Sequence, residues 1–168
     1  MDFRTRERQT HELLRPIDRD LMMLIVILAC GLLIALTTLI HFEVLRALNA
    51  GLPTLNIPSR YKLLVVIFTT FVAHAVEIFI YGLGYFVLIK HVSAGNLVGP
   101  GEFSLLHCFY FSAETYTSLG FGDLTPKGPV RLMVGIEALN GLLLIGWSAS
   151  YTYFAMEQFW RATSETDH

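Results

Sequence analysis

The chain has 168 residues, of which 54% are hydrophobic and only 15% charged, against about 25% charged in ordinary soluble domains. That composition points to lipid, and the length leaves room for one domain. A formal net charge of −2 excludes bulk attraction to nucleic acid or to an acidic substrate.

The first apolar run covers residues 21–40 without a charged residue. It is too long for the apolar core of a signal peptide and no small-residue cleavage site follows, so it is expected to span the membrane. Residues 41–60 hold a short amphipathic piece and then Pro53 and Pro58, which break helices and suggest an interfacial elbow. Residues 63–89 form the second expected span. Only His74 and Glu77 interrupt it, with Arg60 and Lys62 before it and Lys90 after it. Residues 91–102 are turn-rich and expected to be an exposed loop. Residues 103–117 are apolar and aromatic, but as a helix they reach only about 22 Å, short of a hydrocarbon core about 30 Å thick. A short helix between two spans must enter the membrane and return. Residues 132–156, which contain Glu137, form the third span and close at Glu157, Trp160 and Arg161. Tyr85, Phe86, Phe159 and Trp160 fall near span ends, where amphipathic rings favour the headgroup region. Cys30 and Cys108 both lie in apolar segments and are read as packing residues rather than a disulfide or a metal pair.

Residues 118–123 read Ser-Leu-Gly-Phe-Gly-Asp. Bare backbone at membrane depth is tolerated only where it lines a cavity or is buried in protein. Glycine enters positive φ without a Cβ penalty, so Gly120 and Gly122 alternating with larger residues can turn successive carbonyls to one side. A ring of such carbonyls from several copies offers a cation a substitute hydration shell, and the Ser118 hydroxyl adds another oxygen. The short helix ahead would aim its carboxyl-terminal dipole, about half a negative charge, at the ion path. The bland alternative is a glycine-rich turn. It requires neither the short apolar helix before these residues nor Asp-Leu-Thr-Pro at the end.

The stretch Glu114-Thr115-Tyr116-Thr117-Ser118-Leu119-Gly120-Phe121-Gly122-Asp123-Leu124-Thr125-Pro126 closely resembles the pore segment of tetrameric bacterial potassium channels, over roughly residues 62–158. The resemblance implies an all-α membrane protein with three transmembrane helices, a re-entrant pore helix and a selectivity-filter loop, working as a homotetramer in membrane lipid. It implies K+ as the permeant ion, held at Ser118, Leu119, Gly120, Phe121 and Gly122, with Glu114, Thr117 and Asp123 supporting the filter. Glu114 matches a pore-helix glutamate that pairs with the aspartate, here Asp123. Gly141 falls near the inner-helix hinge glycine of the family, and Gly146 follows it. No catalytic residue, cofactor or nucleic-acid partner is implied, the gating partner is unknown, and the expected location is a bacterial inner membrane. This chain has Ser118 for threonine, Leu119 for valine or isoleucine, and Phe121 for tyrosine. These departures bear on filter rigidity and leave a weakly selective cation pore as the alternative, beside a non-conducting assembly subunit.

Ionisable groups inside spans are costly and usually paired or functional. His74 and Glu77 share one helix face, Glu137 and Asn140 another. At about 1.5 Å per residue the two pairs fall at nearly the same depth, so a buried polar cluster behind the filter is expected to join the outer and inner helices. Interhelix hydrogen bonding is the favoured reading of it; a metal or redox site on His74, Glu77 and Glu137 is the rival. His41, His91 and His107 are read as wet interfacial histidines, and Tyr110 and Phe111 as packing aromatics that brace the filter. No span carries arginine at every third position, so charged-helix voltage sensing is not supported. The orientation of the family puts the amino terminus outside, with eight of the twelve Lys and Arg residues on that side, against the positive-inside bias.

Overall fold

The computed structural model describes the backbone of residues 3–166 and the side chains of residues 19–58 and 60–158. Phe159, Trp160, Arg161 and the arginines ahead of Arg19 lie outside the described side chains.

The first helix, α1 (Phe3–Gly51), is one continuous element. Its buried residues Val26, Cys30, Leu33, Thr37, His41, Leu45 and Leu48 recur every three or four positions, the stripe a helix buries against its neighbours. That stripe runs past residue 40 without a break, so the expected elbow at 41–60 is corrected: its first eleven residues are helix. The turn itself is a 3-10 helix at Leu52–Thr54, with Pro53 in its first turn, followed by an extended stretch to Pro58. Pro58 caps α2 (Ser59–Lys90), which buries Val66, Thr70, Ala73, Glu77, Tyr81, Tyr85 and Leu88 at the same spacing. The short helix α3 (Leu105–Tyr116) begins at Ser104, whose side chain accepts from the His107 N–H, a standard start signal. It is followed by the glycine loop and by α4 (Arg131–Thr166).

The loop of 91–102 is not wholly irregular. Its residues β1 (Asn96–Val98) pair antiparallel with β2 (Thr125–Lys127), with Leu97 opposite Pro126. Apart from this small ribbon the described elements are helical, as expected. The ribbon ties the loop after α2 to the segment after the glycine loop, and so fixes both ends of the short helix.

Among the described residues, three helices are long and apolar enough to cross a membrane, over Arg19–Thr54, Arg60–Lys90 and Arg131–Gln158. α1 packs on α2 and α4, and α3 packs on α2 and α4. Large apolar side chains on the outward faces, such as Leu28, Leu32, Phe68, Phe71, Leu106 and Leu143, remain exposed. A water-facing surface does not carry so much contiguous apolar area; lipid accommodates it.

Among the described residues the interior has two apolar clusters with a polar layer between them. One holds Val26, Cys30, Leu33, Tyr81, Tyr85, Phe111, Tyr116 and Met133. The other holds Leu45, Leu48, Leu52, Val66 and Ala155. Between them along each long helix lie Thr37 and His41 of α1, Glu77 of α2, and Glu137, Asn140 and Ser148 of α4, all buried. Cys30 and Cys108 are buried free thiols.

Candidate functional site

The carboxyl-terminal end of α3 leads directly into the glycine loop. Ser118, Gly120 and Gly122 have φ of 58°, 53° and 81°, so every second residue of the loop is left-handed. Glycine accepts this freely; Ser118, with a Cβ, is held in a sparsely populated region. What holds it is a set of inward hydrogen bonds. The Ser118 N–H donates to the Thr115 carbonyl at 2.9 Å, while the Leu119 and Gly120 N–H groups donate to the Glu114 carbonyl at 2.9 and 3.3 Å. The Phe121 N–H donates to Glu114 Oε2 at 3.1 Å. The donors of residues 118–121 are therefore used against the pore-helix end. Among the described residues, nothing donates to the carbonyls of residues 118–122, which stay available to a ligand. Thr117 bonds back to the Ala113 carbonyl at 2.7 Å and closes the helix end.

Glu114 and Asp123 do not hydrogen-bond to each other, which corrects the pairing expected from the resemblance. Asp123 accepts instead from the Tyr110 hydroxyl at 3.1 Å and from the Leu124 N–H at 3.0 Å. Tyr110 lies one turn before Glu114 and reaches the loop mouth over its outer side, stacking on Phe121 with ring centroids 6.4 Å apart. Leu119 and Phe121 are 64% and 67% exposed in the single chain, which leaves apolar area beside the loop.

Gly141 meets the end of α3 directly. A Cβ there would run into the Tyr116 carbonyl and ring, whereas a Cβ at Gly146 would meet nothing within 4 Å. α4 is helical through both. Close approach of two backbones therefore explains the glycine at 141, while 146 has no packing reason.

The polar residues of the spans form three networks rather than one cluster. In the first, Glu77 accepts from His41 Nδ1 at 2.9 Å, from His74 Nδ1 at 3.1 Å and from the Tyr116 hydroxyl. Ser148 Oγ lies 3.0 Å from His74 Nε2 and 3.2 Å from His41 Nε2. In the second, Glu137 accepts from the Tyr85 hydroxyl at 2.6 Å and contacts the Ser112 hydroxyl at 2.5 Å. In the third, Asn140 donates to Thr37 at 2.9 Å and to Tyr81 at 3.2 Å. Each joins the outer and inner helices, but His74 and Glu77 do not bond to Glu137 or Asn140. His41, read from the sequence as a wet interfacial residue, is fully buried and takes the place beside His74 and Glu77 that Glu137 was expected to fill. The signal was present: His41 follows Thr37 by one helical turn on the same stripe, and only the assumed break at residue 40 hid it. Tyr116 and Ser148 were also missed, since nothing in their local sequence sets them apart from other polar residues on apolar helices.

Two spanning helices that flank a half-crossing helix, with a left-handed glycine loop at its carboxyl end, define a pore-loop membrane protein. The family model described as "Ion channel" matches residues 62–158. The chain therefore belongs to that ion-channel family, the pore family of potassium channels, and is an integral membrane protein. It is similar to the inward rectifier potassium channel Kirbac3.1 of Paramagnetospirillum magnetotacticum, with 33% identity over 69 residues, or 39% of this chain and 23% of that protein. The chain thus matches less than a quarter of that relative's length. No solved structure matches it.

Proposed function

We propose that the chain forms a homotetramer, in a bacterial inner membrane, that conducts K+ passively and selectively along its central axis. The carbonyls of Ser118, Leu119, Gly120 and Phe121, with the Ser118 hydroxyl, replace the hydration shell of the ion. Gly122 and Asp123 form the mouth, Glu114, Thr117 and Tyr110 brace it, and α4 bends near Gly141 or Gly146 to open the inner end.

The observation that carries this reading is the loop with left-handed φ at Ser118, Gly120 and Gly122, in which the N–H groups of residues 118–121 are tied to the pore-helix end while the carbonyls have no donor among the described residues. A cation is the partner that suits a set of carbonyls with no donor among the described residues, and the carbonyl end of α3 favours positive charge there. One chain supplies only one side of such a cage. The exposed Leu119 and Phe121 support closure by further copies around an axis.

Purified protein in liposomes with K+ inside and Na+ outside tests the proposal. The expected result is a K+ flux with a reversal potential near that of K+. A reversal potential that follows both ions equally would leave a weakly selective cation pore, and no flux from an intact tetramer would leave an assembly subunit.

A further inference from the structure

The first polar network has the makings of a metal centre. One ring nitrogen each of His41 and His74 and a Glu77 carboxylate oxygen all lie within 4.8 Å of one another, and in both rings it is Nδ1 that faces Glu77, at 2.9 and 3.1 Å. His41 and Glu77 have no exposed side-chain surface and His74 is 18% exposed, so the three point into the protein, with one edge open for entry. The Tyr116 hydroxyl, 2.9 Å from His74 Nδ1, stands at the fourth side.

Counting hydrogens sharpens the case. An ionised carboxylate only accepts, so bonds from Glu77 to both rings require a proton on each Nδ1. With both rings neutral, each Nε2 then turns a lone pair to Ser148, whose hydroxyl has one hydrogen for the two contacts. One contact has no hydrogen, so the set needs a positive charge, supplied either by a second proton on one ring or by a metal cation. With a cation on both Nδ1 atoms the protons sit on Nε2 instead, and the Ser148 oxygen, which has two lone pairs, accepts from both. Metal-binding histidines usually donate their second N–H to such an oxygen.

We propose that His41, His74 and Glu77 bind a divalent transition-metal ion with the preferences of zinc, with Tyr116 or a water as the fourth ligand and Ser148 orienting both imidazoles. Two imidazoles and a carboxylate are a common zinc donor set. Mg2+ and Ca2+ favour all-oxygen ligands and fit poorly. The ion would clamp α1 to α2 at the level of Tyr116, the last residue of α3.

Zinc bound per chain is measured on tag-free full-length protein after exposure to Zn2+ and removal of the excess. One zinc per chain is expected. His41→Gln, His74→Gln and Glu77→Gln should each abolish stoichiometric retention, and Ser148→Ala should weaken affinity on the order of tenfold. Co2+ is the second probe. In the wild type it should give the strong visible bands of a four-coordinate site and quench Trp147, whose ring centroid lies 5.4 Å from that of His41. The quenching should be absent in Trp147→Phe. Substoichiometric zinc in the wild type, retention unchanged by the three ligand variants, or only the weak bands of six-coordinate Co2+ would each overturn the proposal. The wild-type Co2+ spectrum decides it even if the ligand variants fail to fold.

Discussion

The Phe121 N–H donates to Glu114 Oε2 at 3.1 Å, seven residues back along the chain. The bond joins the middle of the glycine loop to the last turn of α3, so the loop conformation depends on one side chain behind it. Replacing Glu114 with alanine leaves a partly buried donor without its acceptor, at a cost of about 1–3 kcal/mol. We expect Glu114→Ala to lower K+ flux in liposomes and to weaken the assembled protein towards heat, with Glu114→Gln milder because its amide oxygen still accepts. Equal flux and melting in all three proteins would contradict this role.

Gly120 has a φ of 53°, yet beyond its two chain neighbours no atom of the described residues lies within 4 Å of where a Cβ would sit. A Gly120→Ala change therefore acts on the backbone and not on packing within the subunit. A residue with a Cβ costs roughly 1–2 kcal/mol more in that conformation. Folded protein should still be recovered, with ion flux lost or its selectivity relaxed, as reversal potentials in mixed K+ and Na+ would register.

Gly141 and Gly146 separate packing from bending. Gly141→Ala pushes a methyl group into the Tyr116 carbonyl, and overpacking of this kind costs about 1–3 kcal/mol. The apparent melting temperature of purified Gly141→Ala should fall, whereas that of Gly146→Ala should not. If opening uses a bend at 146, the second variant will conduct less at unchanged thermal stability.

The Tyr85 hydroxyl donates to Glu137 at 2.6 Å in the buried interior. Tyr85→Phe removes one donor from that carboxyl group and should cost about 1–3 kcal/mol, while the double variant Tyr85→Phe with Glu137→Leu should lose less than the sum of the two single changes. A thermal-denaturation double-mutant cycle reads the coupling, and strict additivity would show that the contact contributes nothing.

Much of the architecture was legible in the amino-acid order. Charge-free runs of sufficient length mark helices that lipid can surround, and a run too short to cross marks one that must return. The alternation of Gly120 and Gly122 with larger residues already implied a backbone that could alternate in φ. These are local properties: hydropathy, length and the missing Cβ act within a few residues of themselves.

The partners of the polar side chains were not legible, because contacts between helices depend on their mutual rotation and depth, to which hydropathy is blind. Glu137 was expected beside His74 and Glu77. The packing of α2 on α4 instead gives it Tyr85 and Ser112, and the unbroken turn of α1 past residue 40 brings His41 to Glu77. Likewise Glu114 and Asp123 seemed natural partners by position, yet Tyr110 reaches the aspartate first. Composition and periodicity specify which surfaces must be hidden; the angle at which four helices meet specifies which buried donor finds which acceptor.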